Sequence, residues 1–393
     1  MIDLADRPPL LLTGWAHSRF GKLPETLEEL VVGVAREAIA DAGLEPGQIG
    51  AICFGQFNAG MQPLAFASSL ALQVDDALWG LPATRLENAC ASGSAAVHHG
   101  IMTLLAGAAD HVLVIGAEKM TDAGAEVVGA SLLGADYEAA GHPSTTGFAG
   151  LFARVAQAYS DRYGDCSGTL AAIAAKSHHN ALANPYAHLR KDYDEEFCNT
   201  VSAANPEVAP PLRRTDCSPV SDGAAALVLS RVAAPGSGHA PVRLRGFGQA
   251  NDYLPAPRRD PLAFAGSALA WQRALQMAGV RPGDLSLLEV HDCFTIAELA
   301  LYEALGLAEP GKGRLLLEEG VVRRDGPLPV NPSGGLKSKG HPVGATGVSQ
   351  HVLAAMQLTG TAGDMQVPDA SLVAVHNMGG LAVANYVSVL AAD

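Results

Sequence analysis

AGLEPGQIGAICFG (42–55) and AGVRPGDLSLLEVH (278–291) align without a gap, although they stand far apart in one chain. Ala, Gly, Pro and Gly recur identically, and aliphatic residues recur at Leu44/Val280, Ile49/Leu285 and Ile52/Leu288. Two further pairs follow in the same order. CASGSAAVHHGIM (90–102) lies over HPVGATGVSQHVL (341–353), with Gly93 on Gly344 and Val97 on Val348. SDGAAALVLS (221–230) matches GGLAVANYVSVL (379–390), each a small-residue turn leading into a strand. A single match of this length arises by chance; three in register order imply a duplicated unit.

The unit is α/β. Leu27 to Ala42 has the spacing of an amphipathic helix and Ile49 to Phe54 that of a buried strand; a helix from Ala91 to Ala106 and a buried strand from His111 to Gly116 follow. This alternation predicts a helix-covered, mostly parallel sheet. If the halves are duplicates, Cys90 and His341 occupy equivalent places, each at the start of a small-residue helix. Two such helix N-termini, with their partial positive charge and free N–H groups, would converge on one centre and favour a thiolate or an oxyanion there. Between the repeats, Thr121 to Thr215 has no counterpart. It includes a predicted helix, Ser167 to Ala183, and reads as an inserted subdomain over the sheet edge, where a lid or substrate platform would sit. Its basic residues Arg190, Lys191, Arg213 and Arg214 read as a solvated face.

Composition narrows the function classes. The 393 residues are 48% apolar and 17% charged, which excludes a disordered chain and gives material for a large core. Aromatics make up only 5%, so that core is built of small side chains and close backbones. A net charge of −14 with no long basic run excludes nucleic acid as a partner. No apolar stretch reaches the roughly 18–20 residues of a membrane span, and MIDLADRPPLLLTGW does not have the form of a signal peptide. A cytoplasmic protein is expected. Cys53, Cys90, Cys166, Cys198, Cys217 and Cys293 have no CxxC or zinc-type spacing, so no metal is expected and each is a buried thiol or a nucleophile. Walker A, GxGxxG, GxSxG and HExxH signals are absent from the sequence.

Four segments combine reactive side chains with turn residues: Glu87 to Gly93 around Cys90, His291-Asp292-Cys293-Phe294 after the predicted strand Leu285 to Val290, Lys339 to Gly344 around His341, and Val375 to Gly380. Taken alone, a buried cysteine or a core histidine is the commoner meaning of each. Their order and spacing together resemble the thiolase superfamily over nearly the whole chain. The detailed pattern is similar to the sterol-carrier-protein type: HDCF stands where conventional thiolases carry an Asn motif, His376-Asn377-Met378 where they carry CxG, and KSHHNALANPYA (176–187) and CSPVSDGAAA (217–226) also match that branch.

The resemblance implies a duplicated thiolase fold, two pseudo-symmetric helix-sheet halves in a layered αβαβα arrangement with an inserted loop subdomain. The expected boundaries are 1–119 plus 216–233 for the first half, 120–215 for the insert and 234–393 for the second half. It implies a CoA-dependent thiolase that cleaves a 3-oxoacyl-CoA or condenses two acyl-CoA molecules. No tightly bound cofactor is implied, coenzyme A being a substrate. Cys90 is the expected nucleophile and His341 its base; a thiol activated by an imidazole suits attack on a ketone carbon. Cys293 is the expected acid/base at the enolate carbon. His291 and His341 form one oxyanion hole, and the N–H of Cys90 with one from the turn Met378 to Gly380 forms the second. His376, Asn377 and His142 are candidates to face the substrate; His376 could instead orient His291 or brace the turn, and His142 could be structural. The partners implied are acyl-CoA and CoA, a second or third and fourth copy of the chain as homodimer or homotetramer, and a zinc-ribbon and OB-fold protein of the kind found beside some relatives. Alternatives within the superfamily are acyl transfer to a non-CoA acceptor, retro-aldol cleavage, decarboxylating condensation and an idle scaffold subunit. Loss of the thiol pair would favour retro-aldol chemistry, and here both thiols are present.

Overall fold

The computed structural model describes residues 7–232 and 236–392. The expected boundary between the halves at 233/234 falls outside these residues. The first half runs β1 (Leu11–His17), α1 (Leu27–Asp41), β2 (Ala51–Gly55), β3 (Ala83–Leu86), α2 (Ser92–Leu105) and β4 (His111–Glu118). An excursion follows, with α3 (Ala125–Leu133), α4 (Ala149–Tyr163), α5 (Ser167–Ala181), α6 (Glu195–Asn199), β5 (Glu207–Ala209) and β6 (Leu212–Arg213), and the chain returns as β7 (Gly223–Ser230). The second half runs β8 (Val242–Asn251), α7 (Ala265–Ala278), β9 (Leu287–Glu289), α8 (Thr295–Ala304), α9 (Arg314–Glu318), α10 (Thr346–Leu358), β10 (Leu372–Gly379) and β11 (Ala384–Ala392).

The first repeat has a simple local cause. Thr26 and Glu29 form a capping box that starts α1, and Leu27, Leu30, Val31, Val34, Ala35, Ala38 and Ile39 bury one face of it. Gly43 ends α1 and Gly279 ends α7, at φ +65° and +68°, a conformation open to glycine at little cost. Pro46 and Pro282 then open one-turn 3-10 helices that hand the chain to β2 and β9.

Nine strands are hydrogen-bonded in the order β3-β2-β4-β7-β1-β8-β11-β10-β9. The order is a palindrome of the two halves, extended at the far end by a parallel bridge between Leu288 and Val330 that takes the place of β3. The halves meet at a two-residue antiparallel junction, Leu11 with Arg243 and Leu12 with Val242. Pairing is parallel only toward the two ends and antiparallel through the middle, so the expected mostly parallel sheet is instead mixed. The reason lies after β4 and β10. β10 turns straight back into β11 through Gly380–Val383, and in the first half the chain makes the same reversal only after residues 119–222.

Side-chain alternation gives the layers. On β4, Leu113 and Ile115 face α1 in an outer core, whereas Val112 and Val114 face the middle. On β10, Val373 and Val375 share that middle core with Val97 of α2 and Val348 of α10, and Ala374 faces α7 and α8 in the third core. The molecule is therefore layered αβαβα, with α2 and α10 between the two half-sheets. α5 is bound firmly to the second half. Lys176, Asn180 and Asn184, on one face of α5 and its continuation, reach Glu298 and the carbonyls of Val330, Asn331 and Ser333. This accounts for the KSHHNALAN segment: it fastens the loop that leads to His341. Arg213, expected on a solvated face, is buried instead, its guanidinium on Asp216 at 3.0 Å. No helix among the described residues is long and apolar enough to cross a membrane.

The two middle helices touch backbone to backbone. A Cβ at Gly93 would lie 2.7 Å from the Gly344 oxygen and 2.9 Å from the Gly347 nitrogen; one at Gly347 would lie 2.2 Å from the Ser94 nitrogen. The helices begin at Ser92 and Thr346, so Gly93 corresponds in space to Gly347 and not to Gly344, three residues earlier. His341 accordingly precedes its helix by a longer turn than Cys90 does. Gly347→Ala is expected to lower stability by at least about 1–3 kcal/mol, because backbone and not a flexible side chain must move. Gly33→Ala, in α1 with open space around it, should leave stability unchanged or raise it by up to about 1 kcal/mol. Denaturant unfolding of both variants checks the pair; equal effects would contradict the packing.

Candidate active site

Cys90 sits in the turn that joins β3 to α2. Ala89 takes φ +50°, and the Ser92 hydroxyl stabilises the turn by donating to the Ala89 carbonyl at 2.6 Å and accepting the Asn88 N–H at 3.0 Å. Asn88 is held from the other half of the molecule by the Tyr386 hydroxyl, 2.6 Å away. Gly379 admits this turn: a Cβ there would lie 2.1 Å from the Asn88 oxygen. The thiol thus rests where the start of α2 meets the end of β10.

His341 follows Gly340, which adopts φ +113°. Its N–H donates to Ser221 Oγ at 3.3 Å, and its Nδ1 lies 2.6 Å from Thr346 Oγ1. Thr346 gives its one hydroxyl proton to the Pro342 carbonyl at 3.0 Å, so it accepts from Nδ1–H of His341. The lone pair of His341 is then on Nε2, which is buried and has no partner. Glu118 braces the turn after His341. Its carboxylate accepts the N–H groups of Phe57, Asn58 and Gly344 at 2.9, 3.0 and 2.9 Å.

His291 leaves β9 and has the opposite tautomer. The Asn377 amide nitrogen donates to the Cys90 carbonyl at 3.3 Å and to His291 Nδ1 at 2.8 Å. His291 therefore carries its proton on Nε2, again buried without a partner. The next residue, Asp292, accepts the Leu336 N–H at 2.6 Å and so ties the HDCF segment to the turn before His341. Donor atoms of Cys90, His291 and His341 all lie within 4.8 Å of one another, and the two imidazoles stand edge to face at 5.1 Å between centroids. The sulfur and the two rings meet in one buried space, and each ring has one nitrogen without a partner, a lone pair on His341 and an N–H on His291. Such a trio also has the donor types of a soft-metal site.

Burial sets the charges. It pushes the Cys90 thiol up to about 12, against the N–H groups of Gly380 and Cys90, which favour the thiolate; Glu118 and Glu87 add to the upward push. It holds the His341 imidazole down at about 3, with the Lys339 ammonium acting the same way. His291 is held well below its ordinary value by burial, then by His341, His376 and Lys339. The Cys293 thiol is pushed well above its ordinary value by burial, then by Cys90 and Asp292. The resting site is a set of neutral groups, where the helix-end argument from sequence anticipates a ready thiolate.

The other expected residues are spread more widely. Gly380 presents its N–H to the Cys90 sulfur, while Met378 is paired with Asn385 inside the sheet and packs its side chain in the third core. His376 points to the other side of β10, where its Nε2 lies 3.0 Å from Ser267 Oγ; Asn377, not His376, orients His291. His142 is exposed in the loop after α3. Glu118, Thr346 and the apolar wall of Phe57, Met61, Met120, Val128 and Val343 around Cys90 are not foreseen from the sequence. A glutamate at the end of an otherwise apolar strand is a signal that could have revealed Glu118; the wall comes from loops with no periodicity. A cavity of about 1120 Å³ is lined by α5, Tyr193, Arg323 and neighbouring loops and includes none of the converging residues.

Comparison with known proteins fits this geometry. Residues 18–198 match the family model of the thiolase N-terminal domain, and residues 248–392 that of the thiolase C-terminal domain-like family. The chain belongs to the thiolase family. It is 37% identical over 371 residues to an acetyl-CoA acetyltransferase of Methanothermobacter thermautotrophicus, covering 93% of this chain and 95% of that one. Sterol carrier protein 2 of Homo sapiens is 31% identical over 380 residues, covering 91% of this chain and 65% of its own length. Among solved structures, the Ltp2-ChsH2(DUF35) aldolase has a TM-score of 0.82 at 22% identity, each chain being 98% covered. An acetyl-CoA acetyltransferase from Syntrophomonas wolfei has a TM-score of 0.71 at 20% identity, covering 99% of this chain and 100% of that one. The match is to the sterol-carrier-protein branch of the thiolase fold.

The opposite tautomers of the two histidines are testable. Asn377→Asp replaces the donor facing His291 Nδ1 by an acceptor, so the ring proton should move from Nε2 to Nδ1. Nitrogen chemical shifts of the labelled ring report it; an Nδ1 proton already present in the unmodified protein would contradict the assignment.

Proposed function

We propose that Cys90, His341, His291 and Cys293 carry the two half-reactions of a thiolase on 3-oxoacyl-CoA and acyl-CoA substrates. The family makes the chain an acyltransferase of the thiolase type, and the observation that supports this assignment is the convergence of Cys90 with two imidazoles, each of which has one unpartnered nitrogen, the two of opposite polarity.

In the cleavage direction, Cys90 Sγ attacks the ketone carbon while its proton passes to His341 Nε2. Burial disfavours a separated thiolate and imidazolium, so this transfer accompanies attack. The ketone oxygen becomes an alkoxide and accepts the N–H groups of Cys90 and Gly380. The carbon-carbon bond then breaks, leaving the acyl group on Cys90 and an enolate on the departing acyl-CoA. Its thioester oxygen accepts from His291 Nε2–H, and from His341 Nε2, which holds the transferred proton. Cys293 gives its proton to the enolate carbon. Before the second half-reaction the proton held by His341 passes to the Cys293 thiolate. The CoA thiol then attacks the acyl-Cys90 carbonyl as its own proton passes to His341 Nε2, and the alkoxide returns to the same N–H pair. Collapse expels the Cys90 sulfur, which takes that proton from His341 as the new acyl-CoA leaves. Condensation is the reverse, with Cys293 removing the proton. Phe57, Met61, Met120, Val128 and Val343 offer the acyl group on Cys90 an apolar wall.

The same reading divides the chain at 119/120, 215/216 and 233/234, with the middle segment as a substrate platform. It makes the protein cytoplasmic and a homodimer or homotetramer, uses CoA as substrate with no tightly bound cofactor, and adds a zinc-ribbon and OB-fold protein as partner. Retro-aldol cleavage is the second reading; a solved neighbour of this fold is an aldolase, and the presence of both thiols favours thiolase chemistry.

Loss of the magnesium-enolate absorbance of acetoacetyl-CoA on adding CoA measures cleavage. Cys90→Ala should abolish it. Cys293→Ala should still exchange labelled CoA into acetyl-CoA while cleavage falls by roughly 10²–10⁴-fold. Undiminished cleavage by Cys90→Ala, or equal losses of exchange and cleavage by Cys293→Ala, would overturn the respective assignment.

A further inference from the structure

The three converging side chains, each given a role in the thiolase reading, also form the donor set of a soft-metal site. Cys90, His291 and His341 are 5%, 0% and 7% exposed, and their donor atoms lie within 4.8 Å of one another. Nε2 of both histidines is buried without a partner. We propose that this triangle binds a thiophilic divalent cation of the zinc class, which would occupy the acyl position and hold the enzyme idle until a competing thiol or chelator removes it. The proposal uses the same side chains as the thiolase reading and extends it to regulation of that site.

The geometry and chemistry fit with little movement. In a tetrahedral zinc site with Zn–S near 2.3 Å and Zn–N near 2.0–2.1 Å, neighbouring donors stand roughly 3.3–3.6 Å apart, so the triangle closes by at most roughly 1.5 Å. Three protein donors leave a fourth position for water. His341 is ready as it stands, since Thr346 holds its proton on Nδ1. His291 must transfer its Nε2 proton to Nδ1. Turning the Asn377 amide would present Oδ1, now buried without a partner, as the acceptor for Nδ1–H, and would give up the 3.3 Å bond from its nitrogen to the Cys90 carbonyl.

The balance of the step is complete. The S–H bond of Cys90 breaks, a sulfur-metal bond forms, and the proton leaves to buffer. Binding therefore releases the thiol proton and strengthens as the pH rises. The charged groups that act on the triangle are Glu118 and Glu87 on Cys90 and Lys339 on the histidines. The thiolate and the two carboxylates offset the cation, and the ammonium opposes it.

The test uses the purified full chain, treated with chelator and titrated with Co²⁺ and then Zn²⁺. One cobalt per chain with a thiolate-to-cobalt charge-transfer band, displaced by zinc, is expected. Cys90→Ala should lose the band, and Cys90→Ala and His341→Gln should each weaken zinc by more than roughly 100-fold, with circular dichroism and melting showing that both variants fold. Zinc should also block CoA exchange into acetyl-CoA, and chelator should restore it. A band that persists in Cys90→Ala, or no cobalt site in a protein that exchanges CoA normally, overturns the metal site and leaves the thiolase reading standing. Cobalt binding through Cys90 in a protein that never exchanges CoA supports the site and counts against the thiolase reading alone.

Discussion

The backbone contact between α2 and α10 is the constraint on which the rest of the molecule depends. Two helices sandwiched between half-sheets normally stand about 8–10 Å apart, kept there by side chains. Here Gly93, Gly344 and Gly347 remove those side chains, and Ser94 and the Gly344 carbonyl occupy the space. The helices come from opposite halves of a duplicated chain, so their close approach brings Cys90, carried by one half, against His341, carried by the other. Asn377 then locks the arrangement, since one amide group reaches both the Cys90 carbonyl and His291. The excess of small residues in the composition is the price of that proximity.

The same packing makes the site dry, and dryness governs its chemistry. Buried without a charged partner at contact distance, a thiol and two imidazoles are all most stable neutral. Hydrogen bonds rather than charges then assign the roles. Thr346 fixes His341 as an acceptor and Asn377 fixes His291 as a donor, so two identical side chains 5.1 Å apart present opposite polarity. In the proposed reaction negative charge appears only with substrate, and the N–H groups of Gly380 and Cys90 are already in place beside the sulfur. A dry pocket also strengthens those bonds, because water does not compete for them.

Duplication, the helix-strand alternation and the four reactive segments are legible in the sequence because each leaves a local trace, such as a periodicity, a helix stop at Gly43 or Gly279, or a turn proline at Pro46 or Pro282; the layering is implied only by the family resemblance. The register between halves was misread by three residues, Gly344 for Gly347, because a longer turn after His341 shifts the helix start and small residues on either side match equally well. Mixed pairing of the sheet was missed because strand direction is set by connections, and the connection from β4 to β7 runs through 119–222. Arg213 was placed on a solvated face because no pattern in sequence reveals its burial beside Asp216. The partners that orient the converging side chains are the least visible. Thr346, Asn377 and Glu118 act through a few hydrogen bonds, most of them to segments far along the chain, and only the folded chain shows which of many polar residues do so.

The central claim is that Cys90 becomes acylated because the two halves present it to His341 across the glycine contact. Intact-mass spectrometry after incubation with acetyl-CoA, followed by peptide mapping, tests it most directly. The account predicts one added acetyl group, located on Cys90 and removed by free CoA. An unmodified chain, or an acetyl group on another cysteine with Cys90 free, would contradict it.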